Sequence, residues 1–176
     1  MPTDREKTLE GLKTAVQMEI DGKEFYFKAS QESKNDLGKK LLESLALQED
    51  YHRQKFEEIY AAIEKNMGWP HVDFVPDKGK TLRTIFSEAM DHPATEKEEL
   101  HTEIDTIQKS MDMESEVRDF YKQRAADSSL TAEKQFYSLV ADEEREHFLI
   151  LLDYFEYLKD PAGWFVEKEH PSLDGG

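Results

Sequence analysis

Four Glu-x-x-His pairs occur in this chain, and two of them stand 95 residues apart: Glu49 with His52, and Glu144 with His147. On a helix, side chains three apart share one face, so a carboxylate and an imidazole at that spacing can hold one cation from the same side. A lone pair of this kind is weak evidence, because Glu supplies 24 of the 176 residues and will precede some His by accident. Glu98/His101 and Glu167/His170 read as such accidents, the first near the start of a helix and off the level of the others, the second in the tail beyond Pro161. The other two pairs belong to an internal repeat. At the same offset Met18 maps to Met113, Glu19 to Glu114, Phe25 to Phe120, Tyr26 to Tyr121 and Ala46 to Ala141. Lys23/Arg118 and Glu24/Asp119 match conservatively. Identity therefore concentrates on residues able to bind metal, namely Glu19, Glu49, His52, Glu114, Glu144 and His147, and on their neighbours.

Four carboxylates converging in a core are costly without counter-charge. Two divalent cations cancel them, with the two imidazoles as neutral donors. Carboxylate and imidazole ligands suit iron or manganese better than copper(I) or an iron–sulfur cluster. The chain has no cysteine, which removes disulfides, thiol nucleophiles and thiolate-held metals and fits a reducing compartment. A formal net charge of −16 repels phosphate backbones and anionic lipid, so neither nucleic acid nor a membrane surface is expected as a partner. The N-terminus is polar, and the longest apolar run, Phe148 to Leu152, is too short to span a bilayer. The expectation is a soluble cytoplasmic protein.

These side chains need elements that bring them to one level. Glycines and prolines cluster, leaving long stretches of Glu, Lys, Leu, Ala and Gln, a helical composition. Thr3 and Glu6 are spaced as a capping box for a first helix running to about Ser33, broken by Asn35, Asp36 and Gly38. A second runs from about Leu37 to Asn66 and stops at Gly68 and Pro70; Leu41, Leu42, Leu45, Gln48, Glu49, His52, Phe56 and Ile59 line one side. Residues 68–95 form a crossover with one short amphipathic helix from Thr81 to Met90. Thr95 and Glu98 make a second capping box for a third helix to about Asp127, and a fourth follows Ser128 and Ser129 to about Lys159, ended by Asp160-Pro161. Residues 1–160 thus read as an all-α four-helix bundle of two antiparallel pairs joined by a long crossover. Residues 161–176 read as a tail whose Trp164 and Phe165 need cover, on the bundle or on a second subunit.

At 1.5 Å rise per residue, Glu19 and Glu49 each lie roughly 20 Å from the turn joining their helices, so they meet at one height. Glu114 and Glu144 do the same. Tyr26 and Tyr121 follow their Glu by seven residues and return to its face, where they could bond a ligand carboxylate, carry an electron or simply pack. Phe25, Phe56, Phe120 and Phe136 read as packing. His71, His92, His101 and His170 read as solvent-exposed. The acidic runs Glu96 to Glu103 and Asp142 to Glu146 read mostly as solvated faces, the latter able to help draw in Fe²⁺.

The runs Glu19–Tyr26 (EIDGKEFY), Ala46–His52 (ALQEDYH), Met113–Tyr121 (MESEVRDFY) and Ala141–His147 (ADEEREH) resemble the ferritin-like superfamily, more closely its rubrerythrin branch, over roughly residues 8–160. Dimetal bundles of that kind take one Glu from each of two helices and Glu-x-x-His from each of the other two. The closing segments DPAGWF and EHPSLDGG also resemble tails of short rubrerythrin-like proteins. The resemblance implies a ferritin-like four-helix fold and a non-haem centre of two iron ions, with manganese or zinc as substitutes, reacting with hydrogen peroxide or dioxygen. It carries over to Glu19, Glu49, His52, Glu114, Glu144 and His147. Two departures stand out. No cysteine is present to build the rubredoxin module usual in rubrerythrins, and the extra Glu expected three residues after the third-helix ligand is Val117, matched in the first helix by Gly22. The remaining four-Glu, two-His set is closer to that of bacterioferritin.

Three functions compete. The first is an oxidoreductase of oxidative-stress defence, reducing hydrogen peroxide with electrons from a separate donor such as rubredoxin. The second is a ferroxidase or iron-handling protein using the same centre. The third is a structural bundle whose metal only holds the fold; the repeat argues against it, since leucine stabilises a core better than carboxylates do. The tail resembles dimeric relatives and implies a homodimer.

Overall fold

The computed structural model describes residues 1–91 and 103–164. Helix α1 spans Asp4–Glu32, α2 Asp36–Glu64, α3 Lys80–Met90, α4 Ile104–Asp127 and α5 Thr131–Lys159, with no strand among the described residues. The expected all-α architecture is present: α1 packs along α2, α4 along α5, and α3 packs against both α2 and α5.

Local chemistry sets the boundaries. Thr3 and Glu6 form the expected reciprocal capping box at the start of α1, each side chain satisfying the other residue's backbone N–H. The Asn35 side chain accepts from Leu37 N at 3.0 Å and starts α2 after a turn of three residues. Lys78 and Gly79 both have positive φ, 55° and 71°, the left-handed corner from which α3 departs. The Thr95/Glu98 box lies outside the described residues. As described, α4 begins at Ile104, with Glu103 preceding it.

The apolar core is in two parts. One, built from Leu41, Leu45, Ile107, Leu151 and Tyr154 among others, fills the end near the α1–α2 turn. The other, built from Leu12, Phe56, Ile59, Tyr121, Phe136 and Tyr137, fills the opposite end. Between them lies a layer of buried ionisable side chains. Trp164 sets its ring against Phe86 and Tyr157 at centroid distances of 5.2 and 6.0 Å, so this part of the tail covers the bundle's own α3–α5 face. Phe165 lies outside the described residues.

Within the acidic runs, Glu103, Glu143 and Glu146 depart from the solvated face expected, while Asp142 is exposed. Glu103 is buried and accepts from the Ser33 and Tyr154 hydroxyls. The buried Glu143 carboxylate accepts from the backbone N–H of Asp77 and Lys78, at 2.9 Å each, and the Glu146 carboxylate pairs with Arg83. Glu143 and Glu146 fasten the crossover to α5, and Glu103 ties the start of α4 to Ser33 and to α5; the rest of the first run lies outside the described residues.

Candidate metal centre

Each of the four long helices delivers part of the buried layer. Glu19 comes from α1, Glu49 and His52 from α2, Glu114 from α4, and Glu144 and His147 from α5; all six are at most 3% exposed. They form two groups whose ligand atoms lie within 4.8 Å of one another: Glu19, Glu49, His52 and Glu144, and Glu49, Glu114, Glu144 and His147. Glu49 and Glu144, the two Glu-x-x-His carboxylates, belong to both. His52 Nδ1 lies 3.2 Å from Glu144 Oε1 and 3.5 Å from Glu19 Oε2. His147 Nδ1 lies 3.0 Å from Glu144 Oε2, 3.1 Å from Glu49 Oε1 and 3.6 Å from Glu114 Oε1. The two imidazoles stack at 5.7 Å with planes 12° apart, as the sequence repeat implies for two related halves.

The donor set fits divalent cations. Glu19 Oε2, Glu49 Oε1, both Glu144 oxygens and Nδ1 of both histidines are buried and lack a hydrogen bond of acceptable geometry. Unpaired buried polar atoms are costly, and six aimed into one space are what a pair of cations would satisfy. Oxygen and imidazole nitrogen suit hard to borderline metals such as iron, manganese or zinc.

Electrostatics without metal show the strain of the arrangement. Burial, and then repulsion from Glu144, raise Glu19 above the ordinary carboxylate range and Glu49 well above it; Glu114 is raised well above it by burial and then by Glu49. Burial pushes Glu144 the same way, but the adjacent His52 and His147 outweigh it and keep this carboxyl ionised. Burial opposes charging of the imidazoles, and the facing carboxylates overcome it, raising both well above their ordinary value.

The tyrosines hydrogen-bond across the repeat. The Tyr26 hydroxyl of α1 donates to Glu114 Oε1 of α4, and the Tyr121 hydroxyl of α4 donates to Glu19 Oε1 of α1. Both phenols are buried and their pKa values are raised, by burial first and then by the carboxylate each one meets. Of the open readings for this pair, hydrogen bonding to cluster carboxylates is the one observed. Phe56 and Phe136 pack in the core, and Phe25 and Phe120 pack against its edge. His71 is exposed, while His92, His101, His170, Glu98 and Glu167 lie outside the described residues.

Two contributions escaped sequence reasoning. Gln48, one residue before Glu49, meets His147 Nε2 at 2.9 Å. Gly22 faces Glu49, and a Cβ built there would stand 2.8 Å from Glu49 Oε2. Gly costs about 1 kcal/mol against Ala inside a helix, so its use here reflects the space the carboxylate takes. Gly22→Ala is expected to keep the helix and weaken metal binding by about tenfold or more, as displaced ligand support does elsewhere. Competition against a chromophoric chelator, with circular dichroism as the control for folding, measures both.

A family model described as Rubrerythrin matches residues 10–151, a span containing all six cluster residues and both tyrosines. No curated protein and no solved structure matches the chain significantly.

Proposed function

We propose, starting from the fact that the chain belongs to the rubrerythrin family, that it is a non-haem di-iron oxidoreductase that reduces hydrogen peroxide. The observation that carries this reading is the pair of ligand groups sharing Glu49 and Glu144. Two ferrous ions, when bound, supply the two electrons that turn one hydrogen peroxide and two protons into two waters, each ion ending ferric. The protein's own part is to hold and arrange. Glu19 with His52, and Glu114 with His147, each serve one position; Glu49 and Glu144 serve both. The Tyr121 hydroxyl holds Glu19 by Oε1 and leaves Oε2 toward His52, the Tyr26 hydroxyl holds Glu114 by Oε1, and the two apolar core regions keep bulk water from the carboxylates.

In this reading the electrons return from a separate donor such as rubredoxin, because a cysteine-free sequence has no thiolates for such an iron site of its own. The net charge of −16 argues against nucleic acid or anionic membranes as partners. The protein is taken as a cytoplasmic homodimer. Among the described residues no helix is long and apolar enough to cross a membrane.

One observation favours a second reading, ferroxidase or iron handling. Gly22 and Val117 leave the set at four Glu and two His, and the space beside Gly22 is already filled by Glu49. Stopped-flow absorbance separates the two. The protein is loaded anaerobically with about two Fe²⁺ per chain and mixed with hydrogen peroxide or with oxygen. The expected result is faster oxidation by peroxide, one peroxide consumed per site, and turnover only with an added reductant such as rubredoxin and its reductase. Oxidation by oxygen as fast as by peroxide, with added Fe²⁺ consumed well beyond two per chain, would make the protein a ferroxidase.

A further inference from the structure

We propose that Gln48 is a positioning residue that makes the two halves of the centre unequal, so that the position served by His147 fills before the position served by His52. The inference rests on the dimetal reading above and concerns the order in which that site is occupied.

The two halves are copies, and the residue before each shared Glu has diverged between them. In α2 it is Gln48 and in α5 it is Glu143. Gln48 Oε1 lies 2.9 Å from His147 Nε2, and its amide nitrogen donates to Ser44 Oγ at 3.4 Å. The amide oxygen, an acceptor only, faces the ring. A hydrogen on Nε2 of His147 meets that acceptor, and Nδ1 is turned to the carboxylates of Glu49, Glu114 and Glu144. The ring's orientation is set before any cation arrives. An amide does this without adding a charge to a layer that already holds four carboxylates.

The other half has no such support. Glu143 is turned to the crossover, where the N–H groups of Asp77 and Lys78 occupy its two oxygens. Among the described residues nothing hydrogen-bonds His52 Nε2. The His52 ring is held by packing against Phe74 and Tyr51, at centroid distances of 5.8 and 6.4 Å. Packing limits the ring's rotation but does not select a nitrogen. A cation entering beside His52 must fix the ring's orientation as it binds, and that cost lowers its affinity relative to the preorganised position.

Zinc is the probe, because it is diamagnetic and takes no part in redox chemistry. The full chain, freed of metal, is titrated with Zn²⁺ by calorimetry, and the zinc-loaded protein is examined by ¹⁵N-edited NMR of the imidazoles. Two unequal binding steps are expected, with a slowly exchanging Nε2–H on His147 and a faster one on His52. Gln48→Leu should weaken the tighter step by about 10–100-fold, the usual effect of losing such a support, leave the weaker step in place and speed exchange at His147. Gln48→Glu keeps an acceptor and should restore the tighter step. Equal steps in the wild type, or a tighter step untouched by Gln48→Leu, would overturn the proposal. If Gln48→Leu does not fold, the exchange rates of the two ring protons in the wild type decide. Failure of the wild type to bind zinc at these residues would instead remove the dimetal reading itself.

Discussion

Glu144→Ala is expected to abolish metal binding at both positions at once, taking the stoichiometry from about two ions per chain to none at micromolar metal. The reason is geometric. Glu144 belongs to both ligand groups, and its two oxygens are divided between them, Oε1 at 3.2 Å from His52 Nδ1 and Oε2 at 3.0 Å from His147 Nδ1. It is also the one member of the cluster whose carboxyl is held below its ordinary value, so it is the charge that pulls both imidazoles inward. Loss of a residue that merely supports a ligand costs 10–100-fold in affinity, and loss of a ligand shared by both positions should exceed about 100-fold at each. Glu19→Ala touches only the first group and should leave the second occupied. Glu167→Ala, in a pair read as accidental, should leave two ions bound. Metal content after dialysis and a chelator-competition titration separate these outcomes. Two ions retained by Glu144→Ala, with its fold intact by circular dichroism, would remove the cluster as the binding site.

The clustering of the six side chains was legible because a repeat of offset 95 marks the same residue types twice, and helical rise then fixes their height from the turns. What spacing could not tell was the neighbour. A seven-residue step returns Tyr26 to the face of Glu19, but the helix it meets there is α4, so its hydroxyl serves Glu114 and Tyr121 reciprocates. The divergence of Gln48 from Glu143 was present in the alignment of the two halves. Identities mark what the two halves share, and the difference beside a matched Glu marks where one half serves another contact. For Glu143 that contact is the crossover, which a local charge count reads as a solvated face. Gly22 was visible as a departure, and only the packing of Glu49 against it gives a reason.

Removing metal should lower the melting temperature, and the loss should grow as pH rises. In the metal-free fold Glu19, Glu49 and Glu114 titrate above their ordinary 4.5, and His52 and His147 above their ordinary 6.5. The folded chain therefore binds more protons than the unfolded one. The stability these groups lend is complete below their unfolded values and drains away as pH climbs toward their folded ones. Glu144 runs the other way, contributing above its ordinary value and losing that contribution in acid, but it is one group against five. Metal reverses the trend, since carboxylates and imidazoles must shed protons to bind it and affinity rises with pH. At free metal about 1,000 times the dissociation constant each site adds about 4 kcal/mol, and in a chain of this size each kcal/mol is worth about 2–4 °C, so two sites give a gap of about 15–30 °C near neutrality. Differential scanning calorimetry with and without chelator, at about pH 5.5 and again at about pH 8, should find the gap wider at the higher value, mostly because the metal-free form has lost ground. A gap that stays constant or narrows, with metal removal verified, would mean that these six side chains do not carry the proton linkage their burial implies.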